Sequence, residues 1–174
     1  VFNAASPSVY KIEVVHGYDP LFLRDYGILV SSWQAEKVAE SGSFNRILTP
    51  ENFNLPLINL LNIKYLATLN NINDPKFIKV FEEGETKIYE NKNALPRAFL
   101  TQKVIKLHDN EKVLEKIISP SFNPVQESFS TDFEFPTQEN QATVTFQNYS
   151  DQKFSLRVET NKEAPLIVSN IFYP

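Results

Sequence analysis

Helical and alternating patterns of apolar residues divide the chain into short elements. The longest helix is predicted from Pro20 to about Glu40, because apolar residues recur there at helical spacing. Its apolar positions are Phe22, Tyr26, Leu29 and Trp33. Asp19 is suited to cap the start of this helix, and Gly42 is suited to stop it.

Further elements of both types are predicted before Pro124. A shorter helix begins at 54–56, and Asp109 caps another that continues to Ile118. Two apolar runs separated by a turn containing Gly84 are typical of a β-hairpin. The predicted strands, including the two of this hairpin, are 9–15, 64–69, 77–81, 86–90 and 97–107.

After Pro124 the apolar positions alternate with polar ones. This period of two is typical of half-buried antiparallel strands, which we predict at 142–146, 154–158 and 166–168. The sequence therefore predicts an α+β fold. A mixed helix and strand part covers residues 1–124, an antiparallel, sandwich-like β part covers residues 125–174, and the two pack as one unit.

Composition is that of a folded chain and narrows the classes of partner. Of the 174 residues, 42% are hydrophobic and 22% are charged. The formal charge of −4 argues against nucleic-acid binding, which favours a basic surface. The most apolar stretch, 55–69, is interrupted by Pro56, Asn59, Asn62 and Lys64, so it falls short of the roughly 20 apolar residues that span a bilayer.

Residue counts exclude several kinds of catalytic site. The chain has no cysteine, so thiolate catalysis and cysteine-ligated metals are excluded. With four glycines, none of them clustered, it lacks the motifs that hold nucleotide cofactors, and we expect no cofactor. The two histidines, His16 and His108, do not have metal-ligand spacing, so we expect no metal. No GxSxG nucleophile motif occurs.

Carboxylate pairs are the remaining candidates for catalysis, because glycosidases need two carboxylates close together. Three pairs were considered: Asp132 with Glu134 on one strand face, Glu82 with Glu85, and Asp19 with Asp25. A solvated strand face explains the first pair more simply, and a charged hairpin tip explains the second. In the third pair, Asp19 is explained more simply as a helix cap. The sequence thus predicts no catalytic residue.

Aromatic side chains offer a possible sugar-stacking surface. Tyr18 and Trp33 are the candidate sugar contacts, with Tyr26 nearby in sequence. The helical spacing of Tyr26 and Trp33 favours the alternative that these two residues belong to the core.

Five segments, taken in chain order, resemble the extracytoplasmic domain of YfhO-like bacterial membrane proteins. The segment ALPRAF, preceded by IYEN, is the most specific of them. The segments are 16–26 (HGYDPLFLRDY), 60–66 (LLNIKYL), 88–99 (IYENKNALPRAF), 113–124 (ending FNP, where the family has Asp for Asn123) and 166–174 (LIVSNIFYP).

This resemblance implies a multi-spanning membrane glycosyltransferase that uses lipid-linked sugars and glycosylates cell-envelope polymers. The chain would be its module at the extracytoplasmic face of the bacterial cytoplasmic membrane, without catalytic residues of its own. Its partners would be the membrane-embedded remainder of the parent chain and an envelope glycopolymer. The alternative is a carbohydrate-binding or cell-surface interaction module without enzymatic activity.

Two further expectations concern the ends of the chain. Because it begins at Val1 and contains no methionine, we expect a piece excised or matured from a longer protein. The resemblance implies that family members continue beyond Pro174 with further strands, which would leave the C-terminal β part truncated here.

Overall fold

The computed structural model describes residues 10, 12–15, 23–39, 52–150 and 153–170. These residues form an α+β fold, as predicted. The helices are α1 (Arg24–Ala35), α2 (Leu57–Leu60) and α3 (Asn110–Ile117). The strands are β1 (Tyr65–Thr68), β2 (Phe77–Glu83), β3 (Thr86–Asn91), β4 (Ala98–Leu100), β5 (Val104–Lys106), β6 (Ser128–Ser130), β7 (Ala142–Tyr149), β8 (Phe154–Thr160) and β9 (Leu166–Val168).

Helix α1 is shorter than the sequence predicted. Leu23 is extended and its side chain makes no capping bond, so the helix begins at Arg24 and not at Pro20. Glu36 adopts a left-handed conformation with φ 54°, which ends the helix before the predicted stop at Gly42. Asp19, the predicted cap, lies outside the described residues.

One apolar core joins α1 to α2, α3 and the first sheet. At its centre, Trp33, Leu57 and Ile58 are almost completely buried, because the apolar faces of three helices and a sheet meet there. The buried members of the core are Val30, Trp33, Leu55, Leu57, Ile58, Phe77, Tyr89, Leu114 and Ile118.

Two local signals of the sequence are confirmed. Asp109 caps α3, its side chain accepting a hydrogen bond of 2.7 Å from the Lys112 N–H. Strands β2 and β3 form the predicted hairpin, in which Gly84 turns the chain with φ 57°. β1 pairs with the other side of β3, giving an antiparallel sheet in the order β1-β3-β2.

The strand predicted for 97–107 is two strands with different partners. β4 pairs with β9 and β5 pairs with β6, and the chain changes partner between them. At this point the Thr101 N–H donates to the Pro165 carbonyl and the Gln102 N–H donates to the Val125 carbonyl. Backbone groups of the linking residues are thus satisfied without a continuous ladder.

The C-terminal strands are confirmed, and two of the pairings connect them to the first part of the chain. β7 and β8 form an antiparallel pair, as the alternation predicted. β9 pairs with β4, and β6, which the sequence analysis did not predict, lies parallel to β5. Both of these pairings join residues before Pro124 to residues after it.

Tyr26 connects α1 to residues 12–15, which lie outside the helices and strands although a strand was predicted there. Its hydroxyl donates a hydrogen bond of 2.5 Å to the Val15 carbonyl. Burial disfavours the phenolate and raises the pKa of Tyr26 to about 12.

This pKa predicts an alkaline loss of stability. An unfolded tyrosine releases its proton at a pKa of about 10, whereas folded Tyr26 holds it to about 12. The stabilisation is therefore complete below pH 10 and is lost as the pH rises towards 12. Tyr26→Phe lowers the free energy of unfolding by about 1 kcal/mol at pH 8, through the lost hydrogen bond.

Urea unfolding of both proteins at several pH values measures this effect. The difference between the wild type and Tyr26→Phe should shrink and then reverse sign as the pH rises from 10 to 12, because only the wild type loses stability when Tyr26 ionises and that loss exceeds the contribution of one hydrogen bond. If the free energies of unfolding of the two proteins changed in parallel with pH, this would contradict the assignment of the alkaline loss of stability to Tyr26.

Candidate functional site

Asn91, the last residue of β3, is the buried polar residue around which the candidate site is built. It is 2% exposed. Its Nδ2 donates to Asn59 Oδ1 at 2.9 Å and to the Ile63 carbonyl at 3.0 Å, and its Oδ1 accepts from the Asn93 N–H at 3.0 Å. Because these bonds replace water, the amide is held in one orientation between α2 and the turn after β3.

Asn62 attaches the next loop to the same place. It adopts the left-handed conformation with φ 56°, which asparagine tolerates better than most residues. Its Nδ2 donates to the Leu95 carbonyl at 2.5 Å, while the Leu95 N–H donates to the Asn59 carbonyl at 3.0 Å. Both backbone groups of Leu95 are therefore bonded to the region around α2.

Arg97 joins four segments that are far apart in sequence. Its guanidinium pairs with Glu13 and donates to Asn170 Oδ1 at 2.9 Å. The same group lies 5.0 Å from the ring centroid of Tyr149, whose hydroxyl donates to Glu13 Oε1 at 2.8 Å. The planar guanidinium is suited to combining an ion pair, an amide bond and a ring contact.

Ser169 adds a second connection between the end of the described chain and α2. Its hydroxyl donates to the Leu60 carbonyl, and its N–H donates to the Arg97 carbonyl at 2.8 Å. Residues after β9 thus contact both α2 and Arg97, the residue before β4.

Two open clefts lie on either side of Leu95, which lines both. The first has a volume of about 360 Å³ and lies between Asn59 and the turn after α3. The second has a volume of about 420 Å³ and is the more charged. The first is lined by Pro56, Asn59, Asn93, Leu95, Ser121, Phe122, Asn123, Pro124 and Val125, and the second by Asn62, Lys64, Glu90, Asn91, Lys92, Ala94, Leu95 and Pro96.

The charge of the second cleft suits hydrogen bonding to hydroxyl groups. Lys92 Nζ lies 2.7 Å from Glu90 Oε2, and this hydrogen bond lowers the pKa of Glu90. Lys64 adds a smaller attraction in the same direction. Glu90 is therefore ionised at neutral pH and acts as an acceptor, not as a general acid.

Trp33 does not lie at these clefts. It is 1% exposed, and its Nε1 donates to the Asn52 carbonyl at 2.6 Å. Trp33 occupies the core position that its helical spacing favoured. Neither face of its ring is therefore open to a sugar. Tyr18, the other candidate sugar contact, lies outside the described residues.

The carboxylates considered in the sequence are exposed where they are described. Glu82 pairs with Lys79 at the hairpin tip, and the hydrogen bond from Lys79 lowers the pKa of Glu82. Asp132 and Glu134 follow the end of β6 and do not share a strand face. Asp25 is exposed in the first turn of α1.

The two histidines are the remaining candidates from the sequence. His108 is exposed beside the cap of α3, and His16 lies outside the described residues. In the described ranges, no group of three or more histidine, aspartate or glutamate side chains is placed to hold a metal ion.

None of the helices in the described part of the chain has the length and apolar character needed to cross a bilayer.

Sequence reasoning missed Asn62, Asn91 and Arg97 as individual residues. All three fall in segments 60–66 and 88–99, which the sequence analysis had singled out for other reasons. Asn91 could have been noticed as a polar residue at the end of an apolar strand. Ordinary turns show the same pattern, so the pattern alone did not single it out. No pattern along the chain indicated that Arg97 would meet Glu13, because the two are 84 positions apart.

Comparison of the chain with family models, with curated proteins and with solved structures found no match.

The Asn91 network makes a stability prediction. Asn91→Ala removes both donors, which leaves the partly buried Ile63 carbonyl without this partner, and lowers the free energy of unfolding by about 1 to 3 kcal/mol. Asn93→Ala, at an exposed neighbouring position, is the matched control and changes it by less than about 0.5 kcal/mol. Urea unfolding measures both. Equal effects of the two substitutions would contradict a special role for Asn91.

Proposed function

We propose that this chain is the extracytoplasmic module of a polytopic bacterial membrane glycosyltransferase of the YfhO-like type. In this role it takes part in glycosylating a cell-envelope polymer and does not catalyse the transfer by itself. The membrane-embedded remainder of the parent chain supplies the catalytic groups. The module sits at the extracytoplasmic face of the membrane and positions the acceptor polymer.

The observation that carries the proposal is the meeting of the segments that resemble the family. Segment 60–66 contacts segment 88–99 through Asn62 and Asn91, and segment 166–170 contacts both through Ser169 and Arg97. Three of the five segments thus meet in one place. Their contacts support the interpretation of these segments as parts of one structural unit, which is what the resemblance implies.

The two clefts support a role in holding a polymer. Their lining comes mainly from the same segments, including the FNP residues 122–124. Amide groups of Asn59, Asn62 and Asn93 and the ammonium groups of Lys64 and Lys92 are donors and acceptors suited to hydroxyl or phosphate groups. An open cleft accepts a chain that continues at both ends, as a glycopolymer does.

A carbohydrate-binding module without a linked enzyme is the second candidate. It is favoured by the exposed rings of Tyr149 and Phe154 on β7 and β8, which are 45% and 37% exposed. Their centroids lie 6.5 Å apart with an interplanar angle of 29°, a surface against which a sugar ring can pack.

The complete open reading frame that encodes this chain tests the main proposal. We expect several apolar segments of about 20 residues each in the parent protein, enough to make it a multi-spanning membrane protein. A reading frame without such segments would reject the membrane glycosyltransferase and leave the second candidate.

Polymer binding by the purified chain tests the role of the clefts. Titration with a teichoic-acid-type polymer, followed by NMR, should shift the side-chain amide signals of Asn62 and Asn93. Lys64→Ala with Lys92→Ala should weaken binding about tenfold, since each exposed charge contributes roughly 0.5 to 1 kcal/mol.

The matched control replaces Lys106 and Lys116, exposed lysines outside both clefts. Equal loss of binding in this control would show a general charge effect and contradict a site at the clefts. Shifts confined to Tyr149 and Phe154 would transfer the binding site to β7 and β8.

A further inference from the structure

One face of the β1-β3-β2 sheet carries large apolar side chains towards solvent. We call it the outer face and define it by Tyr65, Ile78, Val80, Phe81 and Ile88. The first four are between 45% and 54% exposed, and Ile88 is half-buried. The opposite face of the same sheet enters the core through Phe77 and Tyr89.

A β-bulge enlarges the outer face. The register between β2 and β3 shifts between Lys79 and Phe81, so Val80 is an extra residue in the ladder. Val80 and Phe81 are consecutive in sequence, yet both are exposed beside Ile88. A regular strand would turn one of these two side chains to the core side.

The exposed apolar area suits a protein interface. A half-exposed large side chain presents about 100 Å², so the four exposed members give the outer face about 400 Å². Patches of this size are often functional. The apolar area is about half of the roughly 800 Å² per partner of a standard interface, which suits a weak, reversible dimer.

The two ends of the outer face carry opposite net charge. At the end near Tyr65, two lysines face one glutamate, a net charge of +1. At the β2–β3 turn, two glutamates give a net charge of −2. These residues are Lys64, Lys92 and Glu90 at the first end, and Glu83 and Glu85 at the second.

We propose that the outer face binds the outer face of a second copy of this chain. The two-fold axis lies between the sheets and perpendicular to the strands, so the basic end of each copy meets the acidic end of the other. The sheets pack face to face, with Tyr65, Ile78, Val80 and Phe81 in the centre. This inference is independent of the proposed function.

We assign the outer face to a second copy and not to a lipid surface, because the charged residues at its two ends have no net positive charge. An anionic membrane surface attracts clusters of lysine and arginine, whereas here two lysines stand beside three glutamates. The contact uses the face and not the edge of β2, since the bulge and Lys79 interrupt that edge and oppose the addition of a strand.

Sedimentation equilibrium of the purified chain, from micromolar to millimolar concentration, tests the proposal. We expect a monomer–dimer equilibrium. Phe81→Glu should weaken it about tenfold or more, because it places a charge in the centre of the contact. Phe133→Glu is the matched control, since Phe133 is 54% exposed and lies outside the outer face, and it should leave the equilibrium unchanged.

Charge reversal tests the orientation. Lys92→Glu and Glu83→Lys should each weaken the dimer, and the double variant should recover it, because both contacts form again across the two-fold axis. Circular dichroism checks that each variant is folded. A monomer mass at every concentration overturns the proposal, as does equal weakening by Phe81→Glu and Phe133→Glu. Binding to phospholipid vesicles without self-association would overturn it and assign the face to a lipid surface.

Discussion

One buried side-chain amide, that of Asn91, joins the first sheet of the described structure to α2 and to the following turn. Asn91 sits where β3 ends, between the helix before the sheet and the loop that leads to the later strands. An apolar side chain of similar size would leave the Ile63 carbonyl without a partner and would let the following turn slide. The amide therefore holds the end of β3 against α2 and the turn that follows.

Elements whose signal lies in neighbouring residues were predictable from the sequence. Gly84 between two apolar runs, Asp109 before an apolar face, and the alternation in 142–146 each act within one turn or one strand pair. The structure confirms all three. The length of α1 was not predictable in this way, because Glu36 has no intrinsic preference for the left-handed conformation that ends the helix.

Pairings between distant segments could not be predicted. Nothing local indicates that β5 lies parallel to β6 or that 97–107 divides between two partners, because these choices depend on which backbone groups remain unpaired once the core has formed. The same applies to the candidate site. The segments around Asn62, Asn91 and Arg97 drew attention as a resemblance, but their contacts appear only in three dimensions.

The pairing of β4 with β9 has a consequence for synthesis. Leu100 pairs with Leu166, so about 66 residues must be added before β4 finds its partner, which takes about 3 to 13 seconds at ribosomal rates of 5 to 20 residues per second. Throughout that time Ala98 and Phe99, buried in the finished protein, have an unpaired strand edge. The nascent chain is thus open to chaperones or to wrong strand partners until its last described strand emerges.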